Sequence, residues 1–271
     1  MPSVGSYSIR GDSKLHYLKI GVGPKSLLVF HGFGMDLSSK SEFQTCFPEH
    51  TIYFFDLFYH GQSIWPNSKN ALTVKDFNAL MKGFFQNEKI ARFDMLGFSI
   101  GAKSALALLQ NHASLVDQLI LIAPDGIVYK YWYWLATGSK VGQLLFKKVL
   151  QSPSSIYTGM DWLARVNLIP NKLKVFVRFQ LASSQKRDKI YKTWMVYRKL
   201  KLSVNQLLEL LSKQDIRVSI FAGSKDTMFP PADFEKFVSL LPAARLVVLE
   251  SDHTRLVDEV LKYYTQNGYI A

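Results

Sequence analysis

Apolar residues along this chain fall into short continuous runs, separated by longer stretches in which apolar positions recur at helical spacing. The continuous runs are 26–30, 51–58, 93–98, 118–123, 217–223 and 244–250. Helical spacing is found over 73–89, 103–112 and 231–241. Strands that are apolar on both faces are typical of a parallel sheet covered by helices on both sides. The alternation predicts an α/β fold with a mostly parallel central sheet flanked by helices.

Two β-rich stretches near the start of the chain, 7–9 and 15–20, flank a polar sequence, Gly-Asp-Ser-Lys. A polar turn between two such stretches is typical of an antiparallel hairpin. We therefore predict a hairpin ahead of the first buried strand.

The alternation lapses once, between the runs 118–123 and 217–223. The sequence there has no clear strand and carries aromatic and basic residues at helical spacing. We predict a helical insertion over 127–205, between two strands of a core made of 1–126 and 206–271.

The charge of the chain is concentrated in that insertion. The whole chain has a formal net charge of +12, from 33 Lys and Arg against 21 Asp and Glu. Residues 127–205 hold fifteen of the basic residues and only two of the acidic ones, Asp161 and Asp188. Such a surface favours encounter with an anionic partner, although lysines on an ordinary solvated helix would give the same pattern. No nucleic-acid-binding motif accompanies the charge, so we expect no nucleic acid as partner.

Composition narrows the class of protein. Of the 271 residues, 48% are hydrophobic, which excludes a disordered chain. No stretch approaches the roughly 20 consecutive apolar residues of a membrane span. The first residues lack the pattern of a secretory signal, and Cys46 is the single cysteine. We therefore expect a cytoplasmic protein.

One serine stands where an apolar run meets a helical stretch, in Gly97-Phe98-Ser99-Ile100-Gly101. A buried strand that enters a buried helix has no packing need for a hydroxyl at the corner. In the pattern Gly-x-Ser-x-Gly the glycines allow a sharp turn that holds the hydroxyl at the carboxyl edge of the sheet. Backbone N–H groups at the helix N-terminus can stabilise an oxyanion there. We predict that Ser99 is a nucleophile.

A nucleophilic serine needs a base that removes its proton and an acid that orients the base. His253 follows the last apolar run and precedes a helix, so we expect it at the same sheet edge as Ser99. Asp226 follows the preceding strand, one loop earlier, and is the predicted acid. Asp125, which ends another strand, is an alternative acid. The predicted catalytic residues are therefore Ser99, Asp226 and His253.

The chain order serine, aspartate, histidine and the motifs around these residues resemble the α/β-hydrolase family. The motifs are VFHGFG after the third strand, DLFYHGQS after the fourth, GFSIGA at the serine, and GSKD and DH towards the end. The resemblance implies an α/β-hydrolase fold from residue 7 onward, with 127–205 as a helical cap. Phe58 and Tyr59 depart from the small residues common in this family, which predicts a bulkier pocket wall.

The resemblance also implies how the site would bind substrate. The oxyanion hole would be formed by the backbone N–H groups of Phe33 and Ile100. His31 would hold the loop after the third strand, and we place it in the substrate site together with Phe98. No metal and no cofactor are implied. The cap would contribute an aromatic wall with Tyr131, Trp132 and Trp134.

The leading hypothesis is a serine hydrolase that cleaves a small-molecule carboxylic ester or thioester through an acyl-enzyme, on an anionic or carrier-linked acyl substrate. The basic cap is similar to that of carrier-protein methyl ester esterases, so the expected partners include an acidic carrier protein or an anionic membrane surface. A C–C hydrolase or lyase is the alternative, because Lys103 stands where the menaquinone-pathway SHCHC synthase of this fold has arginine. A non-catalytic ligand receptor on the hydrolase fold is the third hypothesis.

Overall fold

The computed structural model describes two compact units of the chain. We call them the sheet unit, made of 1–66, 72–129 and 199–271, and the helical unit, made of 67–71 and 130–198. The cap boundaries predicted from the sequence, 127 and 205, stay a prediction. The described residues are 3–7, 13–35, 40–66, 70–128, 130–165 and 171–268.

The sheet unit is built on one central sheet. Its strands are β1 (Ser3–Tyr7), β2 (Leu15–Ile20), β3 (Lys25–Phe30), β4 (His50–Phe55), β5 (Phe93–Phe98), β6 (Val116–Ile122), β7 (Arg217–Gly223) and β8 (Ala244–Leu249). They form an eight-stranded sheet in the order β1-β2-β4-β3-β5-β6-β7-β8. Among these strands, β2 alone runs antiparallel to its neighbours, β1 and β4. The predicted α/β fold with a mostly parallel sheet is confirmed.

The predicted hairpin forms, but its first strand lies earlier in the chain than expected. β1 and β2 pair antiparallel, with Tyr7 opposite Leu15. The strand covers 3–7 and not 7–9, and residues 8 and 9 lie outside the described residues.

Eleven helices are described. Each helix predicted from apolar spacing is present, at Val74–Glu88, Gly101–His112 and Ala232–Ser239. Six of the eleven helices lie between β6 and β7, where the described residues form no strand. No helix in the described part of the chain is long and apolar enough to cross a membrane. The helices are α1 (Lys40–Cys46), α2 (Val74–Glu88), α3 (Gly101–His112), α4 (Tyr131–Thr137), α5 (Lys140–Gln151), α6 (Ser154–Arg165), α7 (Asn171–Gln180), α8 (Ser184–Tyr197), α9 (Val204–Lys213), α10 (Ala232–Ser239) and α11 (Leu256–Asn267).

An aromatic cluster fixes α2 against the strands that lead into the predicted site. Phe30 of β3 and Phe55 of β4 stack with ring centroids 5.1 Å apart. Phe84 of α2 lies 4.9 Å from the Phe55 ring and 5.0 Å from the Tyr17 ring, in edge-on contact with both. Buried aromatic pairs of this geometry add about 0.5–1.5 kcal/mol each beyond the area that they bury. The ends of β3 and β4, where two of the sequence motifs begin, are therefore rigidly supported.

Helix α3 begins in close contact with the backbone at the end of β3. A Cβ atom on Gly101, the first residue of α3, would clash with the carbonyl oxygens of Phe30 and His31. Both obstructing atoms belong to the backbone and cannot rotate away. This position therefore requires glycine, because any side chain would clash with these two backbone oxygens.

We predict that Gly101→Ala destabilises the protein by about 1–3 kcal/mol, the range typical of overpacking a close-packed site. Gly159→Ala in α6 is the matched control, since nothing lies within 4 Å of the added Cβ. The control should be neutral, or more stable by up to about 1 kcal/mol, because alanine is the better helix former. Denaturant unfolding followed by circular dichroism measures both changes. Equal stability of the two variants would contradict the packing argument.

Candidate active site

The turn from β5 into α3 holds Ser99 in a left-handed backbone conformation, with φ of +51°. Its N–H donates to the carbonyl oxygen of Ile122 at 2.9 Å. Its own carbonyl accepts from the N–H groups of Ala102 at 3.0 Å and Asp125 at 3.1 Å. Since this conformation costs a residue with a side chain about 1–3 kcal/mol, the three hydrogen bonds are what keep it there. The serine predicted from the sequence does lie at a strained strand-to-helix turn.

The glycine before the serine allows the helix to pack directly on the strand. A Cβ atom on Gly97 would lie 2.7 Å from the Cα atom of Ala102, in the first turn of α3. Such a separation is far shorter than van der Waals contact, so only glycine fits. The sequence reasoning gave the glycines a role in the sharp turn and in access to the hydroxyl. The structure adds that they permit close approach of α3 to two strands.

Ser99, His253 and Asp226 form one line of hydrogen bonds at the carboxyl edge of the sheet. His253 Nε2 lies 3.1 Å from Ser99 Oγ, and His253 Nδ1 lies 2.6 Å from Asp226 Oδ2. The Asp226 side chain is fully buried, and its Oδ1 accepts from the N–H groups of Met228 at 2.9 Å and Phe229 at 3.0 Å. The carboxylate is thus fixed by three hydrogen bonds, one of them to the imidazole.

This arrangement selects one tautomer of His253. Because Asp226 only accepts at this position, Nδ1 carries the proton and Nε2 presents its lone pair to the Ser99 hydroxyl. The imidazole contacts two aromatic rings, whose centroids lie 5.0 Å (Phe98) and 5.7 Å (Phe229) from its own. Contact with these two rings restricts rotation of the imidazole. The group is therefore oriented to take a proton from Ser99.

Two other buried His–Asp pairs occur in the sheet unit. His16 Nδ1 lies 2.6 Å from Asp56 Oδ2, and His50 Nε2 lies 2.9 Å from Asp94 Oδ2. The second ring nitrogen of His16 has no hydrogen-bond partner within the described residues. A His–Asp pair alone is therefore a structural feature here. What distinguishes His253 is the serine hydroxyl at its second nitrogen.

The alternative acid, Asp125, has a different partner. Its carboxylate forms an ion pair with Lys103, with Oδ1 and Nζ 3.1 Å apart and the lysine side chain 6% exposed. Its N–H supports Ser99, as described above. The carboxylate that contacts His253 is that of Asp226. The sequence did not indicate the Lys103–Asp125 pair, although both residues were singled out separately.

Asp252, which precedes His253, is held by its own turn. Its Oδ1 accepts from the Thr254 hydroxyl at 2.7 Å and the Thr254 N–H at 3.1 Å. The hydrogen bond from the Thr254 hydroxyl holds the pKa of Asp252 below its usual range. This carboxylate fixes the backbone that carries the histidine.

The loop after β3 is supported by two buried histidines. His31 Nδ1 lies 2.7 Å from the Gly32 carbonyl, and its Nε2 accepts from the Leu57 N–H at 3.1 Å. His60 Nε2 accepts from the Gly34 N–H at 3.1 Å. An imidazole that accepts through Nε2 must be neutral, so both contacts need an unprotonated ring nitrogen. His60 was missed by the sequence reasoning, although it lies in the quoted motif DLFYHGQS.

The predicted oxyanion donors lie in the expected segments. Ile100 follows Ser99 directly at the start of α3, and Phe33 lies between the two supported glycines of the loop after β3. The Phe33 ring makes an edge-on contact with His60 at 5.2 Å. That their N–H groups form an oxyanion hole stays a prediction.

The bulky residues in DLFYHGQS contact their own loop. Phe58 is fully buried and packs on Trp65, with ring centroids 5.0 Å apart. Tyr59 donates a hydrogen bond to the Trp65 carbonyl at 3.0 Å. The bulk at these positions therefore stabilises the loop, whereas its predicted effect on a pocket wall stays a prediction.

The predicted substrate contacts of the remaining residues stay predictions. Phe98 is buried beside the His253 ring, and a Cβ atom on Gly32 would clash with its ring. Tyr131 and Trp134 are exposed on α4 of the helical unit, and the side chain of Trp132 lies outside the described part of the structure. The described residues contain no group of three or more His, Cys, Asp or Glu that could hold a metal ion.

Comparison with known proteins supports the family resemblance. A family model described as alpha/beta hydrolase fold matches residues 25–259. A pyrrolizixenacetamide deacetylase from Xenorhabdus hominickii is 28% identical over 116 residues, which are 41% of this chain and 42% of that protein. The chain therefore matches less than half the length of that relative.

Solved structures share the fold over nearly the whole chain. A thermophilic esterase from Thermogutta terrifontis has a TM-score of 0.69 at 18% identity, covering 98% of this chain and 96% of that one. An enol-lactonase from Burkholderia xenovorans has a TM-score of 0.64 at 16% identity, covering 96% and 99%. At these identities the likeness shows the fold alone.

Replacing each of the two candidate acids by asparagine should have a different effect on kcat. Asp226→Asn should lower kcat for ester hydrolysis by roughly 10⁴, because the amide no longer fixes the tautomer of His253. Asp125→Asn should lower kcat by less than about tenfold, since its N–H still supports Ser99. Steady-state kinetics on protein shown to be folded by circular dichroism measure both. If Asp125→Asn loses most of its activity while Asp226→Asn remains nearly as active as the wild type, the acid is Asp125 and not Asp226.

Proposed function

The chain belongs to the α/β-hydrolase family, and from this premise we propose that it is a serine hydrolase that cleaves a carboxylic ester or thioester. The observation that carries the proposal is the line of hydrogen bonds from Asp226 through His253 to Ser99. A buried serine at a strained turn, with an oriented imidazole at its hydroxyl, is the arrangement that nucleophilic catalysis needs.

The reaction proceeds in two steps. In the first, Ser99 Oγ attacks the carbonyl carbon of the substrate while His253 Nε2 takes the hydroxyl proton. The tetrahedral oxyanion is stabilised by the N–H groups of Ile100 and Phe33. His253 then gives its proton to the leaving alcohol or thiol, the bond to the leaving group breaks, and the acyl group stays on Ser99.

In the second step a water molecule hydrolyses the acyl-enzyme. His253 takes a proton from the water, whose oxygen attacks the acyl carbon. Collapse of the second tetrahedral intermediate breaks the bond to Ser99 Oγ, which recovers its proton from His253. The products are a carboxylic acid and the free enzyme.

Two observations favour ester or thioester hydrolysis over the alternatives. The C–C hydrolase or lyase hypothesis rests on Lys103 as a cation for a polycarboxylate, but its ammonium group is paired with Asp125. The receptor hypothesis does not account for a serine, histidine and aspartate in mutual hydrogen-bond contact. The names of the similar proteins, an esterase, an enol-lactonase and a deacetylase, fit acyl-group hydrolysis as well.

The acyl substrate that we propose is anionic or carrier-linked. Fifteen of the 33 basic residues of the chain lie in 127–205, with two acidic residues to oppose them. A field of this sign raises the encounter rate with a negatively charged substrate such as an acyl-coenzyme A. The negative charge can be carried by the leaving group, because the acyl carbonyl that is attacked needs no charge.

Ser99→Ala should lower kcat/KM on every hydrolysed substrate by roughly 10⁴–10⁶, as in other serine triads. The substrates are p-nitrophenyl esters of rising acyl length and a matching series of acyl-coenzyme A thioesters. Ser104→Ala is the matched control, because Ser104 lies in α3, five residues after Ser99, and its buried Oγ has no hydrogen-bond partner among the described residues. The control should keep near-normal activity.

Hydrolysis that persists in Ser99→Ala would contradict the nucleophile. A wild-type protein that cleaves none of these esters and thioesters would contradict ester and thioester hydrolysis as the function. Equal kcat/KM for neutral esters and acyl-coenzyme A thioesters of the same acyl length would contradict the anionic substrate alone.

A further inference from the structure

Helix α5 of the helical unit carries apolar residues on two faces, an inner one that packs within the unit and an outer one that is exposed. Its inner face packs within the unit, where the Phe146 ring stacks on Trp194 of α8 at 4.8 Å and Leu150 is buried. Its outer face is exposed and carries apolar residues at i, i+3, i+4 and i+8, the spacing of one helical face. Their exposed fractions lie between 40% and 68%. The outer residues are Val141, Leu144, Leu145 and Val149.

Helix α4 adds to this exposed apolar area. A Cβ atom on Gly142 of α5 would clash with the carbonyl oxygen of Leu135, so the two helices touch through their backbones. Tyr131, Trp134 and Leu135 of α4 are exposed, and the two aromatic rings lie 5.7 Å apart. We call the exposed apolar residues of both helices the α4–α5 surface. Isolated exposed apolar residues are ordinary, but a set of seven on two adjacent helices marks an interaction site.

The charged residues of α4 and α5 all have one sign. The sequence has no acidic residue between Asp125 and Asp161 and has four lysines there. Three of these, Lys140, Lys147 and Lys148, are exposed on α5. Lys148 follows Leu144 by four residues, so the two residues share one face of the helix. A lysine at such a position can lay its aliphatic stem along apolar neighbours and keep its ammonium group in the polar layer. The partner must therefore accept apolar side chains and cations at the same place.

These features together select one class of partner. A second copy of the chain would bring like charges together. Protein–protein interfaces are depleted in lysine, so an acidic protein explains the charge but not the lysines set among leucines. Leu, Trp and Tyr beside Lys are the composition of helices that lie in the headgroup region of an anionic bilayer.

We propose that the α4–α5 surface binds the surface of a bilayer that contains anionic phospholipid. The leucines and aromatic rings enter the boundary between headgroups and acyl chains, and the lysines pair with lipid phosphates. The proposal rests on exposed residues of the helical unit, and it stands or falls independently of the triad.

Vesicle flotation tests the proposal with the full chain carrying Ser99→Ala, so that no lipid is consumed during the measurement. The probes are vesicles of phosphatidylcholine alone and of phosphatidylcholine with about a third phosphatidylglycerol. We expect binding to the anionic vesicles and at least tenfold weaker binding to the neutral ones, because each lysine at the surface contributes to attraction. Raising the salt concentration should weaken the binding.

Two double variants test the two components of the surface. Leu144→Gln with Leu145→Gln removes apolar side chains and keeps helix propensity, and Lys140→Gln with Lys148→Gln removes charge. Each should weaken binding to anionic vesicles by about tenfold or more. Lys236→Gln with Leu240→Gln is the matched control, since it removes an exposed lysine and an exposed leucine from the sheet unit and should leave binding unchanged.

Circular dichroism of every variant confirms the fold, so that loss of binding cannot be mistaken for unfolding. The proposal is overturned if the protein does not bind anionic vesicles, or if the α5 variants bind as tightly as the parent. It is also overturned if the control loses binding to the same extent. Binding to a purified acidic carrier protein without binding to vesicles would replace the membrane by that protein.

Discussion

At Ser99 the backbone has φ of +51°, and the neighbouring strand β6 and the loop after it hold it there. The Ile122 carbonyl accepts from the serine N–H, and the Asp125 N–H donates to the serine carbonyl. The loop is itself bent, because Ala123 has φ of +40° and donates its N–H to Phe221 of β7. The conformation of Ser99 therefore depends on β5, β6 and β7 being in register. Asp226 follows β7, so the same strands set the position of the carboxylate that contacts His253.

The hydrogen-bond partners of the histidines in the sheet unit determine what each one can do. His31 and His60 accept backbone N–H groups through Nε2 and so shape the loop after β3. His253 differs, because its Nε2 faces a side-chain hydroxyl that can give up a proton. Burial and a carboxylate neighbour are common to several histidines here, and the proton donor at the second nitrogen makes His253 the general base of the proposed mechanism.

The sheet, and the meeting of Ser99, His253 and Asp226 at its carboxyl edge, could be predicted because each signal is local. Ser99 lies between two glycines, and Asp226 and His253 each follow an apolar run. The contacts of His60 with Gly34 and of Lys103 with Asp125 could not be predicted, because each joins segments whose approach depends on the packing of several strands. The first strand begins a few residues earlier than the sequence predicts, because a strand of five residues is too short to show a clear alternation of apolar and polar positions.

Covalent labelling with a fluorophosphonate tests the central claim most directly, because the reagent reacts with a serine only when its hydroxyl is activated. Peptide mass spectrometry after labelling of the wild-type protein should find one adduct per chain, on Ser99. Labelling should disappear in His253→Ala, which keeps the serine and removes the base. An adduct on another residue, or a folded wild-type protein that takes up no reagent, would contradict the account of Ser99 as an activated nucleophile.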